Sequence, residues 1–273
     1  MRAATVAGIV MGVSMRYSVA ALLGATALVG ISAQSASAAD MPAKAPALVY
    51  TAPYSWTGLY IGGHVGAVWS SGDSRWDPLP DPVAFGADTI RQSLKDTSFA
   101  GGLHIGYNYM FMPAWVAGIE ADWTWTDNNA SETTRWTIAG APLPPGEVTT
   151  MSRKIEWLST IRGRIGYAVM PQALLYATGG FAFGHVKYDA SARNGGPYNV
   201  AFSDRTTKTG YALGGGLEWA LTNNWLLRGE YLFYHLGSES GTATSTVLPA
   251  FPSGFNWDSI NIHTARLGLS YKF

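Results

Sequence analysis

The chain has 273 residues, of which 13% are charged and 47% are hydrophobic, and its formal net charge is zero. The balanced charge argues against a nucleic-acid-binding protein, whose surface would carry a basic patch. The absence of cysteine excludes a disulfide scaffold and a thiolate metal site.

The N-terminal residues have the pattern of a secretory signal. An uncharged apolar run follows Arg16, and it ends at the small-x-small sequence of residues 36–38, which is typical of a signal-peptidase site. We therefore predict a signal peptide over residues 1–38. Residues 39–55, rich in Pro and Ala, are predicted to be an extended periplasmic leader, and residues 56–273 one domain.

Apolar residues then recur at every second position, which is the period of a β-strand and not of a helix. In the first segment, one face carries Leu59, Ile61, Val65, Ala67 and Trp69. The apolar faces carry no Asp, Glu, Lys or Arg. Eight such segments follow one another, at 57–70, 96–110, 114–126, 155–169, 172–188, 207–220, 224–236 and 263–273.

The opposite face of these segments is polar, and the apolar face ends in Trp or Tyr at both margins. An apolar exterior, a polar interior and two aromatic girdles are typical of a transmembrane β-barrel. The predicted girdle residues are Trp69, Trp115, Trp123, Trp125, Trp157, Trp219, Trp225, Tyr271 and Phe273.

The predicted connections alternate between three short ones and four long ones, the latter at 71–95, 127–154, 189–206 and 237–257. Bacterial outer-membrane barrels have short periplasmic turns and long extracellular loops. Lipid cannot satisfy an open sheet edge, so the first strand must pair with the eighth. The sequence therefore predicts an all-β, eight-stranded antiparallel up-and-down barrel in the outer membrane of a Gram-negative bacterium.

Three short stretches resemble one family. WTGLYIGGHVG, the turn MPAW and the final LGLSYKF are similar to the small outer-membrane β-barrel proteins of alphaproteobacteria, which include major surface antigens and are often described as porin-family or OmpA-like barrels. The resemblance covers residues 56–273. It implies an assembly signal, read by the barrel-assembly machinery, that consists of Leu267, Leu269, Tyr271 and Phe273.

The polar face decides whether such a barrel conducts. An eight-stranded barrel is just wide enough to be filled by side chains, and charges in so narrow a lumen must be paired. We predict an ion-pair layer that blocks the bore; a charged eyelet in a narrow water-filled pore is the alternative. The layer consists of four acids and four arginines at similar height: Glu120, Asp122, Glu218, Glu230, Arg162, Arg164, Arg228 and Arg266.

Two histidines, His64 and His104, are predicted to face the same layer. No serine stands out beside them, so the sequence does not predict a nucleophilic triad or an enzyme. Two histidines without a third ligand are a weak metal signal. We expect them to pack in the polar layer without a metal or other cofactor; a metal or haem site is the minor alternative.

The resemblance implies a structural role: support of envelope integrity and display of surface loops. We expect a monomer, because the barrel closes on itself, in contact with outer-membrane lipid and lipopolysaccharide. A narrow porin for small solutes is the first alternative. An adhesin or a haem or ligand receptor that acts through the loops is the second.

Overall fold

The computed structural model describes residues 54–78, 87–196, 199–244 and 252–273. The predicted signal peptide and most of the leader lie outside these residues. The strands are β1 (Gly58–Asp77), β2 (Ile90–Met110), β3 (Trp115–Arg135), β4 (Thr137–Ile138), β5 (Ala141–Pro142), β6 (Glu147–Met170), β7 (Ala173–Asn194), β8 (Asn199–Ala220), β9 (Trp225–Leu236), β10 (Glu239–Thr244), β11 (Pro252–Trp257) and β12 (Ile260–Lys272).

Eight of these strands close into a ring in the order β1-β2-β3-β6-β7-β8-β9-β12, and every neighbouring pair is antiparallel. The ring closes between β12 and β1, where the register runs from Tyr60 opposite Lys272 to Ser71 opposite Asn261. The predicted eight-stranded antiparallel barrel is confirmed. No helix in the described part of the chain is long and apolar enough to cross a membrane.

The outer wall matches lipid. Large apolar side chains point outward along every barrel strand; Ile119 and Phe181, for example, are 68% and 70% exposed. The alternation places them there because successive side chains of a strand point to opposite faces.

Aromatic residues mark the two ends of the apolar wall. At the end with the short turns, Trp115 packs against Tyr167 and Trp225 against Tyr271, each with ring centroids 5.3 Å apart. We call the ring at the opposite end the outer ring. Its stacked pairs are Trp123–Trp157, Trp157–His185, Trp69–His263 and Tyr211–His235. All nine predicted girdle residues lie on the lipid-facing side of the wall.

The strands continue well beyond the outer ring. Most of the residues in the four long connections extend the barrel strands or form β10 and β11. We call this part the head; it comprises the described residues of 70–99, 127–156, 186–208 and 237–260.

In the head the closed tube opens into two facing sheets. One consists of β10, β11, β1 and β2, and the other of β3, β6, β7 and β8. Pairing between β2 and β3 runs only from Met110–Val116 up to Ala100–Thr126 among the described residues. Above that level side chains join the two strands: Asp96 accepts a hydrogen bond from the backbone N–H of Asn129 at 2.8 Å.

An apolar core fills the space between the two head sheets. Trp76 stacks on Trp136 with ring centroids 4.9 Å apart, and the ring centroids of Tyr188 and Trp257 are 5.0 Å apart. The core also contains Ile90, Leu94, Met151, Ile155, Val186, Val200 and Phe255, all buried. The head is therefore a packed two-sheet structure that stands on the membrane barrel.

Candidate functional site in the barrel lumen

The predicted ion-pair layer is one connected network across the membrane part of the lumen. Three of its acid–arginine pairs lie directly opposite each other on neighbouring strands, because the strand register sets Glu120 against Arg162, Glu218 against Arg228, and Glu230 against Arg266. All eight predicted side chains are at most 5% exposed.

Arg162 lies at the centre of the network. Its Nη2 donates to Oε1 of Glu120 at 2.6 Å and to Oδ2 of Asp122 at 3.0 Å, and its Nη1 donates to Oε1 of Glu230 at 3.1 Å. Its Nε donates to the hydroxyl of Thr160 at 2.9 Å. One guanidinium therefore joins three carboxylates and leaves little freedom for any of them.

The other three arginines complete the layer. Arg228 Nη1 donates to both carboxylate oxygens of Glu120, at 2.7 and 2.9 Å. Arg266 Nε donates to Oε2 of Glu230 at 2.6 Å. Arg164 Nη1 donates to Oε1 of Glu218 at 2.9 Å. Charge-assisted contacts that several carboxylates and arginines share in this way compensate buried charges.

Two tyrosines belong to the layer although the sequence analysis did not single them out. Tyr60 donates to Oε2 of Glu120 at 2.7 Å, and Tyr176 donates to Oε1 of Glu230 at 2.9 Å. The guanidinium of Arg164 lies 3.9 Å from the ring centroid of Tyr176. The parity of both residues, which is that of the polar face, is the signal that would have found them.

The two lumen histidines form a stacked pair beside the network. Nδ1 of His64 lies 3.4 Å from Nδ1 of His104, while Nε2 of His64 is 2.9 Å from the hydroxyl of Thr124 and Nε2 of His104 is 2.7 Å from that of Ser270. Each of the four ring nitrogens therefore has a polar neighbour within the protein. One of these neighbours is a serine, Ser270, although the sequence did not indicate a serine beside the histidines. Among the described residues, no group of three His, Asp or Glu side chains is arranged to hold a metal ion.

Glycines opposite the histidines make room for this pair. His64 lies across from Gly102, and His104 lies across from Gly62. A Cβ atom at Gly102 would be 2.6 Å from Nε2 of His64, and one at Gly62 would be 2.6 Å from Nε2 of His104. Each imidazole therefore folds over a position that only glycine leaves free.

The periplasmic mouth is closed by apolar side chains. Trp56 is fully buried and packs with Val116, Leu174, Ala220 and Leu226. Its ring is 5.0 Å from that of Tyr54, over which the Nζ of Lys272 lies at 4.2 Å. Lys272 also donates to the backbone carbonyl of Ser55. The residues just before β1 thus lie under the barrel and are tied to its last strand.

The lumen is consequently occupied at three levels: an apolar cluster at the periplasmic mouth, the ion-pair layer in the membrane, and the apolar core of the head.

In the head, buried Arg153 donates from Nη2 to the hydroxyl of Ser70 at 3.0 Å. Burial lowers the pKa of Arg153 to about 10, although Tyr188 and Asp96 act in the opposite direction. Among the described residues Arg153 makes hydrogen bonds and no ion pair.

Comparison with known proteins agrees with this architecture. The family model for the outer membrane protein beta-barrel domain matches residues 23–273. The chain belongs to this outer-membrane β-barrel family. It is 34% identical to the 31 kDa outer-membrane immunogenic protein of Brucella melitensis, over 88% of this chain and 95% of the relative. It is 29% identical to the 22 kDa outer membrane protein of Rhizobium leguminosarum bv. viciae, over 80% and 79% of the two chains.

Among solved structures, the outer membrane protein OprG of Pseudomonas aeruginosa matches with a TM-score of 0.47 and 15% identity, over 80% of this chain and 96% of that one. The family places the protein in the bacterial outer membrane, as the alternation predicts. The predicted resemblance to small outer-membrane barrels of alphaproteobacteria is confirmed by the Brucella and Rhizobium relatives.

Proposed function

We propose that this protein is a structural component of the outer membrane whose sealed barrel supports the envelope and holds a folded head at the cell surface. The observation that carries the proposal is the filling of the lumen at three successive levels. A diffusive pore needs a continuous aqueous path, and both apolar clusters and the ion-pair layer lie across that path.

The contacts within the layer favour a plug over a charged eyelet. In an eyelet, the charges face water and remain available to passing ions. Here each arginine donates to at least one carboxylate at 2.6 to 2.9 Å, and the side chains are almost completely buried. Such charges are compensated by one another and not by solvent.

Single-channel recording in a planar bilayer tests the sealed lumen. We expect folded protein, checked by its heat-dependent migration on a gel, to give no steady conductance steps, while a general porin inserted under the same conditions gives them. Steady steps from the folded wild-type barrel would overturn the sealed-lumen proposal and favour the narrow porin.

The supporting role is tested in the bacterium. We expect a strain without the protein to become sensitive to detergent and chelator, and the wild-type gene to restore resistance. Normal resistance in the deletion strain would contradict a structural role even if the bilayer stays silent.

Display at the surface is the second part of the proposal. The relatives from Brucella are named immunogenic proteins, and the head places polar side chains on the outside of a rigid core. We expect antibodies raised against the folded protein to bind intact cells, and their binding to be lost when the protein is heat-denatured. Binding only to denatured protein would contradict display of a folded head.

A further inference from the structure

A short row of cations crosses the outer wall of one head sheet. The strand register sets Lys154 of β6 opposite Lys187 of β7, and Lys187 opposite Arg205 of β8. All three side chains point outward. Neighbouring strands are about 4.8 Å apart, so the row extends over roughly 10 Å. We call it the cation row.

The cation row begins directly above the outer ring. The next outward-facing pair below Lys154 and Lys187 is Trp157 and His185, whose rings stack with centroids 5.5 Å apart. Aromatic rings of this kind sit at the level of the lipid head groups. Since barrel strands are tilted, the row runs obliquely away from the aromatic rings, toward the outer side of the head-group region.

Like charges directly opposite each other on neighbouring strands are destabilising, so the row needs an explanation. All three members have acidic neighbours: Lys154 lies 2.7 Å from Asp127, Lys187 lies 2.8 Å from Asp189, and the carboxylate of Asp189 also interacts electrostatically with Arg205. Glu156, next to the row, acts on Lys154 in the same way. Among the described residues, Arg205 has no ion pair. Exposed ion pairs are weak, so an anion arriving from the membrane can compete for these cations.

A concavity of about 330 Å³ lies next to the row, farther from the membrane, and part of its lining is apolar, from Ala190, Ala201 and Phe202. Its lining includes hydroxyl side chains and one carboxylate, from Thr150, Ser152, Asp189, Ser191 and Ser203. Burial raises the pKa of Asp189, but hydrogen bonds from Lys187 and Ser203 outweigh it and hold that pKa below its ordinary value. The concavity therefore offers hydroxyls and a fixed carboxylate, which are partners for sugar hydroxyl groups.

We propose that this wall binds the anionic sugar head group of lipopolysaccharide. The cation row holds the phosphates of the lipid A disaccharide, the concavity receives hydroxyls of the adjoining sugars, and the acyl chains lie on the apolar wall beside Phe181 and Phe183. The position of cations above an aromatic ring and of hydroxyls above the cations follows the order of phosphates and sugars in the outer leaflet. The inference rests on the outer-membrane location and is independent of whether the lumen conducts.

Native mass spectrometry of the refolded protein in neutral detergent micelles, titrated with bisphosphorylated lipid A, tests the site. The test variant combines Lys154→Gln, Lys187→Gln and Arg205→Gln. The matched control combines Arg75→Gln, Arg91→Gln and Lys95→Gln, which removes the same charge from the other head sheet. We expect the test variant to bind lipid A at least tenfold more weakly than wild type, and the control to bind within twofold.

Two further measurements make the result decisive. Wild-type protein should bind dephosphorylated lipid A at least tenfold more weakly than the phosphorylated form. Arg205→Gln alone, which breaks no ion pair of the described residues, should weaken binding about threefold even if the triple variant does not fold. Equal binding by wild type and Arg205→Gln, or an equal loss in the control variant, would overturn the site.

Discussion

The membrane layer and the head enclose the same lumen but fill it in opposite ways. In the membrane, the interior holds four acids and four arginines, and the outer wall is apolar. In the head, the interior holds tryptophans and aliphatic side chains, and the outer wall is polar. The outer face of each part matches its surroundings, lipid below and water above. Because successive side chains of a strand point to opposite faces, the interior is polar where the outside is apolar, and apolar where the outside is polar.

The two interiors are stabilised by different physics. The apolar core of the head is stable because its side chains leave water. The ion-pair layer gains little from burial itself, since the cost of desolvating charges is comparable to their attraction. The stability of the layer therefore requires all of its members, because a buried charge whose partner is missing is strongly destabilising.

Removing one charge from the membrane layer should be the most damaging change. Replacing Arg228 with Met keeps most of the side-chain volume but leaves Glu120 and Glu218 short of a partner. An uncompensated buried charge costs about 3 to 5 kcal/mol of the free energy of unfolding. Urea unfolding in lipid vesicles, followed by tryptophan fluorescence, measures this loss.

A second substitution distinguishes charge from packing in that experiment. Arg228→Met combined with Glu120→Gln restores the charge balance, and we expect it to recover at least half of the lost stability. A loss below about 1 kcal/mol in the single variant, or no recovery in the double one, would mean that the layer is not held by compensation of buried charges.

A cavity in the head should cost less and should act locally. Leu94 is almost fully buried in the head core, and replacing it with Ala should cost about 2 to 3 kcal/mol, at the low end for such changes because two open seams let neighbours relax. Limited proteolysis should then cut the head while the membrane part stays protected. Ser93→Ala, one residue away on the outer face, is the control. Unchanged proteolysis in Leu94→Ala would show that the head is not held together by its core.

The smallest effect is expected at Arg153, which is buried in the core of the head. Arg153 is buried like Arg228 but has hydrogen bonds to Ser70 and to the carbonyl of Leu94 in place of ion pairs. Replacing Arg153 with Met should change stability by less than about 1 kcal/mol, because a desolvated charge is exchanged for an apolar side chain. The same urea experiment measures it. A loss as large as that of Arg228→Met would erase the distinction between the two interiors.

Much of this architecture can be predicted from the alternation, because a barrel in lipid has few other ways to arrange polar and apolar faces. The charged residues of the lumen share one parity, and their strand positions place them at one height. Their exact partners depend on strand register and side-chain reach. Tyr60 and Tyr176 belong to the layer because their hydroxyl groups donate hydrogen bonds to its carboxylates. They were not predicted because they carry no charge.

The head could also have been found, from a change of phase. Along β7, Phe181 and Phe183 face lipid at odd positions, whereas the buried Val186, Tyr188 and Ala190 occupy even ones. The apolar residues thus move to the other face just past the outer ring. If apolar residues are expected only at odd positions, residues 189–206 are predicted to be a loop, although apolar and polar residues continue to alternate there. The pairing of β11 with β1 had no such signal, because it depends on contacts between segments at opposite ends of the domain sequence.

The change of phase has a consequence for the journey of the chain before it folds. An exported polypeptide passes the inner membrane unfolded, and about 20 consecutive apolar residues would retain it there as a helix. A strand that is apolar on both faces along its whole length would come close to that limit. Here each barrel strand has one polar face: the inner face within the membrane and, in the strands that continue into the head, the outer face there. The unfolded chain therefore lacks the long apolar run that would hold it in the inner membrane. It presents a continuous apolar surface only after the barrel has closed in the outer membrane.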